Sequence, residues 1–421
     1  MTKADKEGQR KTPVLRFKGF TDDWEQRQLR EISSSTIGGG TPKSSNKKFW
    51  NGNIPWIQSS DLVNGDIWNI TIKKHITLDA VENSAAKIIS ANSIAVVTRV
   101  AVGKLVYMPL EYATSQDFIS FQNLSGDHSF FMYLVSKVMH KVKGSLQGTS
   151  IKGISKGELL KKKVIYTLNI KEQKKIGTLL KSLDTILTLY ERKLKLLSQV
   201  KKYFLDNLFA EKEYPNLRFK GFTDAWEKIK LKDTQTTLTD GNYANLYPKP
   251  ADMTDADKGM PFLTGGNLKN GILDLENAKY ITKEKHSQLK SGHLEEDDIV
   301  IAVRGSLGEL GYVTKQNIDW NINSQLAIIR TSKNELIGKF LLYFFLSSKG
   351  KSKLLSRQTG TALKQLPLQQ LKTIVVPKTL LLEQQKISNI LKTIDKTISF
   401  YKGKQQHFAE IKNTLLNTMF I

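Results

Sequence analysis

The sequence predicts two mixed α/β (α+β) domains joined by two long α-helices, which pair as an antiparallel coiled coil and give the chain an internal pseudo-two-fold repeat. Three observations predict this fold class. A motif near the start recurs in the middle, a second motif recurs near the end, and each copy of the second motif opens a long seven-residue pattern of apolar side chains. The predicted segments are a polar tail (1–12), a first domain (13–168), a first long helix (169–212), a second domain (213–378) and a second long helix (379–421).

The lead-in to each domain is repeated with little change. Residues 13–29 read PVLRFKGFTDDWEQRQL and residues 215–231 read PNLRFKGFTDAWEKIKL, which gives 12 identities in 17 positions at an offset of 202. Self-similarity at a fixed offset indicates duplicated structural units. Trp24 and Trp226 lie inside this motif. We expect both to pack in a core or a domain junction, with base stacking as the alternative.

The helical motif is repeated at a slightly different offset. EQKKIGTLLKSLD begins at Glu172 and EQQKISNILKTID begins at Glu383, 211 residues later. The domain interiors diverge much more than these ends. Two units that share a scaffold but differ in their inner surfaces are suited to two similar but non-identical ligands. The alternative is a gene duplication followed by sequence drift alone.

The two helical segments carry a sustained seven-residue apolar repeat on a Lys-, Glu- and Gln-rich background, which is typical of a coiled-coil seam. The seam residues are Ile176, Leu183, Tyr190, Leu197 and Phe204 in the first helix and Ile387, Ile394, Tyr401, Phe408 and Leu415 in the second. Asn169 and Glu172 predict a capping box at the first helix start. Pairing within the chain is favoured because both partners are present at high effective concentration. A homodimeric coiled coil is the alternative.

The charge of the chain indicates a polyanionic partner. Its 64 Lys and Arg residues against 40 Asp and Glu give a formal net charge of +24. Basic side chains that neutralise phosphates release condensed counterions, which favours binding to nucleic acid. A membrane surface, or a basic protein without such a partner, would also fit the charge alone.

The loops of the two domains supply the candidate DNA-contacting residues. Arg can bind guanine through two hydrogen bonds, Asn or Gln can do so with adenine, and Ser or Thr can contact phosphate. The first-domain candidates are Thr41, Lys43, Ser59, Ser60, Arg99, Lys104, Ser115, Gln116, Thr149 and Lys152. The second-domain candidates are Asn242, Tyr243, Thr264, Asn267, Arg304, Ser306, Ser324, Gln325, Thr361 and Lys364.

Structural roles remain open for several of these candidates. Arg99 and Arg304 could instead form scaffold ion pairs. The Ser-Gln pairs beginning at Ser115 and Ser324 recur in both domains, which also fits a shared structural role. The GT-x-x-K elements that contain Lys152 and Lys364 suit contacts either with phosphate or with a partner subunit.

The motif census predicts no catalytic residue and no metal site. The chain has no cysteine, so thiol catalysis, disulfides and cysteine-ligated zinc are excluded. No two of its ten prolines are adjacent, which excludes the Pro-Pro loop of adenine methyltransferases, and Gly350-Lys351-Ser352 lacks the glycine of a P-loop. The six histidines show no metal-ligand spacing. The polar start and the absence of a membrane-length apolar run predict a cytoplasmic protein with no membrane partner.

These residues resemble the specificity subunit of type I restriction–modification enzymes. FKGFTDDWE and FKGFTDAWE look like the lead-ins to paired target recognition domains, IPWIQSSDL and the RGSLG turn are similar to their internal patterns, and the two EQ-x-K-I helices resemble the family's central and C-terminal conserved regions. The resemblance covers residues 13–421. The first domain departs from the family at Thr98-Arg99-Val100, where Arg-Gly is common.

The resemblance implies a non-catalytic subunit that recognises double-stranded DNA, with each domain reading one half of a bipartite target. It implies helices that set the spacer and dock two methyltransferase subunits, with restriction subunits added in the full complex. This chain would bind no cofactor, whereas its partners would use S-adenosylmethionine, ATP and Mg. A stand-alone basic coiled-coil nucleic-acid adaptor and a nuclease with an unrecognised site are the alternatives.

Overall fold

The computed structural model describes residues 12–146, 153–209, 213–361 and 364–421. Its chain forms two compact units, one of residues 1–191 with 403–421 and the other of residues 192–402. Each unit therefore contains one mixed domain and a part of both long helices.

The first unit is built on a four-stranded antiparallel sheet in the order β2-β8-β5-β6. A second sheet has three strands in the order β4-β3-β7, of which β3 and β7 are parallel. Strands β1 and β9 form a separate antiparallel pair. The strands are β1 (Glu25–Gln28), β2 (Ser33–Gly38), β3 (Ile54–Ile57), β4 (Lys74–Ile76), β5 (Ser93–Val97), β6 (Leu105–Met108), β7 (Ala113–Thr114), β8 (Phe118–Leu124) and β9 (Lys163–Tyr166).

The helices of the first unit pack around one apolar core. They are α1 (Leu78–Glu82), α2 (His128–Leu146), α3 (Lys156–Leu160) and the start of the long helix α4 (Ile170–Leu208). The core joins Trp24 of the lead-in, side chains of α2, and Ile176, Leu180 and Leu183 of α4. Phe420, after the last helix, belongs to the same cluster, so burial of apolar surface holds the C-terminus of the chain in this unit.

The second unit repeats the strand order of the first in its four-stranded sheet, adds β12 to its second sheet and contains a further β14–β15 pair. Its four-stranded antiparallel sheet runs β11-β20-β17-β18, its second sheet runs β12-β16-β13-β19, and β10 pairs with β21. The strands are β10 (Glu227–Lys230), β11 (Thr237–Asp240), β12 (Met253–Thr254), β13 (Met260–Leu263), β14 (Leu268–Lys269), β15 (Ile272–Leu273), β16 (Lys279–Ile281), β17 (Ile299–Ala302), β18 (Leu310–Tyr312), β19 (Asn321–Ile322), β20 (Leu326–Arg330) and β21 (Val375–Lys378).

The second unit has an equivalent core. Its helices are α5 (Lys283–Gln288), α6 (Gly338–Leu346), α7 (Ser348–Leu355), α8 (Leu368–Lys372) and α9 (Leu381–Thr418), of which α9 continues into the first unit. The core joins Trp226, the apolar helix α6, Leu205 and Leu208 of α4, and Ile387 of α9. Trp24 and Trp226 are 2% and 3% exposed, which confirms their predicted packing role.

The two long helices run antiparallel within each unit. In the first unit Lys412 pairs with Asp184, and Tyr190 stacks on Phe408 with ring centroids 5.7 Å apart. In the second unit Lys201 lies 2.6 Å from Asp395. The two lysines are 211 residues apart, and so are the two aspartates. Each long helix therefore supplies the lysine of one ion pair and the aspartate of the other. The predicted pseudo-two-fold helix pair is confirmed.

The predicted seam faces inward along both helices. Ile176, Leu183 and Ile387 are buried, and the other seven seam positions are partly buried. The ends of the seam also pack into the domain cores, because Ile176 and Leu183 belong to the apolar cluster of the first unit and Ile387 to that of the second.

The predicted capping box at Asn169 is half correct. The Asn169 side chain accepts hydrogen bonds from the backbone N–H groups of Lys171 and Glu172 at 3.0 and 3.3 Å. The Glu172 carboxylate does not reach back to the cap. The Arg16 guanidinium donates to it instead, at 2.6 and 2.9 Å, so the carboxylate holds the lead-in segment against the helix.

Candidate nucleic-acid interface

The first-domain candidates lie on loops at one edge of the sheets. Strands β2 and β5 both run antiparallel to β8, so they end at the edge where β8 begins. Parallel pairing of β3 with β7 brings the segment after β3 to the same edge. We call these four loops, residues 39–43, 58–61, 98–104 and 115–117, the first loop edge.

Hydrogen bonds join these loops to one another. Thr41 donates from Oγ1 to Oε1 of Gln116 at 2.5 Å, and both residues are exposed. The Ser115 N–H donates to the carbonyl of Ile57 at 3.0 Å, and the Thr98 N–H donates to the carbonyl of Asp117 at 2.8 Å. The chain therefore brings residues from four separate segments into one polar surface.

Glycine allows the first of these loops to pass close to its neighbour. A Cβ atom on Gly39 would lie 1.9 Å from Oγ1 of Thr114 and 2.2 Å from the carbonyl oxygen of Ser115. Any side chain here would push the loop away from the 115–117 segment. The glycine run before Thr41 therefore has a packing reason.

The basic candidates of the first loop edge have different environments. Arg99 is exposed, and its side chain has no ion pair among the described residues. Lys104 is partly buried and donates from Nζ to the carbonyls of Leu62 and Ser59 at 2.7 and 3.3 Å, so it ties two loops together. Lys43 is exposed.

The serine candidates separate by burial. Ser115 is 5% exposed, and its hydroxyl faces the Asp117 carboxylate and N–H at 3.4 Å, within the loop itself. Ser60 is exposed and Ser59 is partly buried. Thr149 and Lys152 lie outside the described residues.

The second domain has a loop edge of the same topology. Strands β11 and β17 both run antiparallel to β20 and end where it begins, and β13 pairs parallel with β19. The second loop edge comprises residues 240–243, 264–267, 303–309 and 323–325. The Arg304 N–H donates to the carbonyl of Gln325 at 3.2 Å, and the Asn323 N–H donates to that of Leu263 at 2.9 Å.

An aromatic–guanidinium contact lies at the centre of the second loop edge. The Arg304 guanidinium lies 5.6 Å from the Tyr243 ring centroid, and its Nη1 donates to the Ser324 carbonyl at 3.4 Å. The Tyr243 hydroxyl donates to Asp240 at 2.8 Å. Burial and this hydrogen bond raise the pKa of Tyr243, so its hydroxyl keeps its proton. Arg304 is therefore oriented by a ring and a carbonyl while its side chain stays exposed.

Two asparagine candidates stabilise the loops from within. Asn242 is 7% exposed, donating to the Ser291 carbonyl at 2.6 Å and accepting from the Lys290 N–H at 3.1 Å. Asn267 is 2% exposed, and its amide binds the Thr264 N–H and hydroxyl on one side and the Asp274 carbonyl on the other. These amides are already engaged, so we assign both side chains to the framework and leave them out of the proposed DNA surface.

The remaining second-domain candidates lie at the surface. Ser306, Gln325, Thr361 and Lys364 are exposed, and Thr264 and Ser324 are partly buried. Lys364 precedes Gln365, which pairs with Arg304 through an isolated β-bridge. In the first domain Arg99 pairs in the same way with Gly153. Each GT-x-x-K element therefore leads into the segment that contacts the domain's arginine turn.

Sequence reasoning missed a pair of buried ion pairs. Arg16 binds Glu172, and Arg218 binds Glu383 at 2.7 and 2.9 Å, with both carboxylates 0% exposed. The Trp226 indole N–H also donates to Glu383 at 3.1 Å. The sequence shows that the arginine of the lead-in motif and the glutamate of the helical motif are both repeated. It does not show that the two motifs are in contact in the fold.

Comparison with known proteins decides the family. The family model described as the type I restriction modification DNA specificity domain matches this chain twice, over residues 21–199 and 224–409. The chain belongs to this family. Each copy of the family's domain spans one mixed domain and most of the long helix that follows it.

Curated members of the type I specificity family are similar over large parts of the chain. The MjaIX specificity subunit of Methanocaldococcus jannaschii is 24% identical over 323 residues, covering 74% of this chain and 73% of that protein. The EcoR124I/EcoR124II specificity subunit of Escherichia coli is 30% identical over 213 residues, covering 47% of this chain and 50% of that protein.

Solved structures show the same fold. The crystal structure of a type I restriction-modification S subunit from M. genitalium superposes with a TM-score of 0.62 at 18% identity, covering 97% of this chain and 99% of that one. A chain from a study of complex assembly in the type I R-M system gives a TM-score of 0.55 at 14% identity, covering 96% and 98%. No helix in the described part of the chain has both the length and the apolar character needed to cross a membrane.

Proposed function

We propose that this chain is the non-catalytic specificity subunit of a type I restriction–modification complex, with each loop edge reading one half of a bipartite DNA target. One observation carries the proposal. The two domains have the same strand order, yet the loops at equivalent sheet edges carry different side chains, such as Thr41 with Gln116 in one and Tyr243 with Arg304 in the other.

The second loop edge has the chemistry to read a guanine. Arg304 presents several N–H donors, and its guanidinium is held by the Tyr243 ring and the Ser324 carbonyl. A pre-oriented guanidinium loses less side-chain freedom on binding the O6 and N7 acceptors of guanine in the major groove. Lys364, close in the chain to the residue that pairs with Arg304, is suited to an adjacent phosphate.

The first loop edge is suited to a different half-site. Gln116 can bind adenine through its amide, and its link to Thr41 restricts the rotamers of both side chains. Arg99 and Lys43 add exposed positive charge for phosphate or guanine contacts. Different donors on the same scaffold would give the two halves of the target different sequences.

The long helices would set the spacer and carry the partner subunits. On α4 the apolar side chains of Leu196, Val200 and Tyr203 are 61%, 42% and 59% exposed. Exposed apolar side chains at this helical spacing suit a protein interface. We assign them to methyltransferase subunits, two per chain, which would supply S-adenosylmethionine chemistry. Restriction subunits using ATP and Mg would join the full complex.

A self-sufficient nuclease is disfavoured by the placement of the acidic cluster in the second domain. Asp298 is 1% exposed and bound by the Arg330 guanidinium at 2.7 and 2.8 Å, while Glu295 accepts from the same guanidinium at 2.6 Å. Asp297 accepts from the N–H groups of Gly338 and Lys339 at the start of α6. These carboxylates are engaged in the framework and are poorly placed for catalytic metal ions.

The proposal is tested by a methylation map. The chain is co-expressed with type I methyltransferase subunits in a methylation-free host, and N6-methyladenine is located by sequencing the genome. We expect methylation at one split motif that disappears when this chain is omitted. Methylation that is independent of the chain would contradict its role in DNA sequence specificity and favour the adaptor alternative. Cleavage of DNA by the purified chain with Mg²⁺ would favour a nuclease.

A further inference from the structure

Three side chains in the second domain converge on one point although they are far apart in the sequence. His286 Nε2 lies 3.1 Å from one carboxylate oxygen of Asp319, and His293 Nδ1 lies 3.0 Å from the other. One ligand atom from each residue lies within 4.8 Å of the others. His286 comes from α5, His293 from the loop before β17, and Asp319 from the turn before β19.

The second nitrogen of each imidazole is hydrogen-bonded within the fold. His293 Nε2 lies 3.0 Å from the Leu289 carbonyl, which can only accept, so this nitrogen carries a proton. His286 Nδ1 lies 2.6 Å from Oδ1 of Asn321, a side chain that is 0% exposed. Both rings are therefore held with their remaining nitrogens, His286 Nε2 and His293 Nδ1, facing Asp319.

Two imidazole nitrogens and one carboxylate from three separate segments therefore converge on one point, as ligands do around a bound cation. We propose that His286, His293 and Asp319 bind one divalent transition-metal cation of the zinc class. The bonds to Leu289 and Asn321 act as the outer interactions that orient metal-binding histidines. Imidazole and carboxylate ligands suit zinc, and three protein ligands leave a fourth position for water.

The open side of the cluster is consistent with that fourth ligand. Side-chain exposure rises from 15% at His286 to 32% at His293 and 55% at Asp319, so solvent reaches the carboxylate from outside. Zn–N bonds are about 2.0–2.1 Å. The N–O separations of 3.1 and 3.0 Å are close to the ~3.3 Å between neighbouring ligand atoms on a tetrahedral ion with such bonds.

The first domain has no equivalent cluster among its described residues. Thr77 and Thr282 cap the short helices α1 and α5 in the same way, each accepting from the N–H three residues later at 3.1 Å. His286 is the fourth residue after its cap, and the fourth residue after Thr77 is Val81. The proposed metal site is therefore a property of the second domain alone.

The cation would stiffen the base of the second loop edge, a consequence that rests on the proposed function. The segment between Leu289 and His293 holds that edge through Asn242, which binds Ser291 and Lys290, and through the Ser291 hydroxyl, which donates to the Asp240 carbonyl at 3.0 Å. A metal bound by His293 would fix this segment against α5 and the turn at Asp319. Less freedom in the loop lowers the entropy lost on binding DNA.

The site is tested on the full, tag-free chain after dialysis against a chelator, without DNA or partner subunits. Calorimetric titration with ZnCl₂ should show one saturable site per chain, and titration with MgCl₂ should show none. At a hundredfold excess of zinc over its Kd, the unfolding midpoint of the second unit should rise by about 5–10 °C. A folded wild-type chain that gives no saturable zinc binding would overturn the proposal.

Matched variants locate the site. His293→Ala and Asp319→Asn should each weaken zinc binding at least tenfold, whereas His140→Ala, an exposed histidine of α2, should leave it unchanged. Zinc binding that survives in both His286→Ala and His293→Ala chains would place the cation elsewhere and contradict this assignment. Because zinc binding is measured without DNA, the result does not depend on the proposed DNA-specificity function.

Discussion

Two buried Arg–Glu pairs explain at the residue level why the lead-in and helical motifs are repeated together. The Arg16 and Arg218 side chains are each 13% exposed, and their carboxylate partners on the helices are fully buried. Each guanidinium makes two short hydrogen bonds to one carboxylate. A buried charge left without such a partner is strongly destabilising. The pairs therefore hold each lead-in segment against the start of the following helix.

Removing one carboxylate should expose this dependence. We expect Glu172→Ala to lower the free energy of unfolding by about 3–5 kcal/mol, because Arg16 would remain largely buried without its partner. Urea denaturation followed by circular dichroism measures the change. Glu25→Ala is the control, because Glu25 is half exposed and pairs with Arg27 at the surface. Equal effects of the two substitutions would show that burial of the Arg16 pair is unimportant.

Arg304 is the residue on which base reading in the second half-site should depend most. We expect Arg304→Lys to weaken binding of the assembled complex to its cognate DNA by about 1–3 kcal/mol, because the flexible ammonium group of lysine lacks the planar, pre-oriented fork of the guanidinium. A fluorescence-anisotropy titration with cognate and substituted duplexes measures this. Arg30→Lys, an exposed substitution before β2 and away from the loop edge, should have no effect. An unchanged base preference in Arg304→Lys would assign the arginine to the scaffold.

At the level of elements, the long helices were the most predictable part of the fold. A seven-residue apolar period sustained over five repeats is local information, and it was enough to place the helices and their inward faces. The strands of the sheets are two to seven residues long and pair over long sequence separations. Such short runs carry little pattern, so the order of the strands could not be predicted.

The candidate sites show the same limit. The loop residues were found by residue type and by comparison of the two halves, but burial then separated Asn242 and Asn267 from exposed positions such as Gln325. The cluster of His286, His293 and Asp319 escaped sequence reasoning because spacings of 7 and 26 residues match no metal motif. Only the folding of α5 and two loops brings these side chains together.

Lengthening both helices should change the distance between the half-sites that are read. Insertion of seven residues after Glu191 in α4 and after Gly403 in α9 adds about 10.5 Å to each helix while keeping the apolar seam on the same face. We expect the spacer of the methylated motif to grow by about three base pairs, at 3.4 Å per base pair. Insertion into α4 alone is the control, because it would move Lys201 out of register with Asp395 and should reduce the yield of folded chain. An unchanged spacer in the doubly lengthened chain would contradict the helices' role in setting it.

At the scale of the whole molecule, the chain is one structural plan used twice with different surfaces. The same strand order, the same buried Arg–Glu pair and the same Lys–Asp pair between helices occur in both units. The loops at equivalent sheet edges carry different side chains, and the metal-ligand cluster proposed for the second unit has no counterpart among the described residues of the first. Under the proposed function, a shared frame with two different loop edges predicts that the two halves of the target can be changed independently.

The exchange of one domain tests this central claim most directly. Residues 13–168 are replaced by the corresponding domain of another family member with a different target, and methylation is mapped with the same methyltransferase subunits. We predict a hybrid motif in which one half is new while the other half and the spacer are retained. A motif altered in both halves, or left unaltered in a folded and assembled complex, would contradict the assignment of one half-site to each domain.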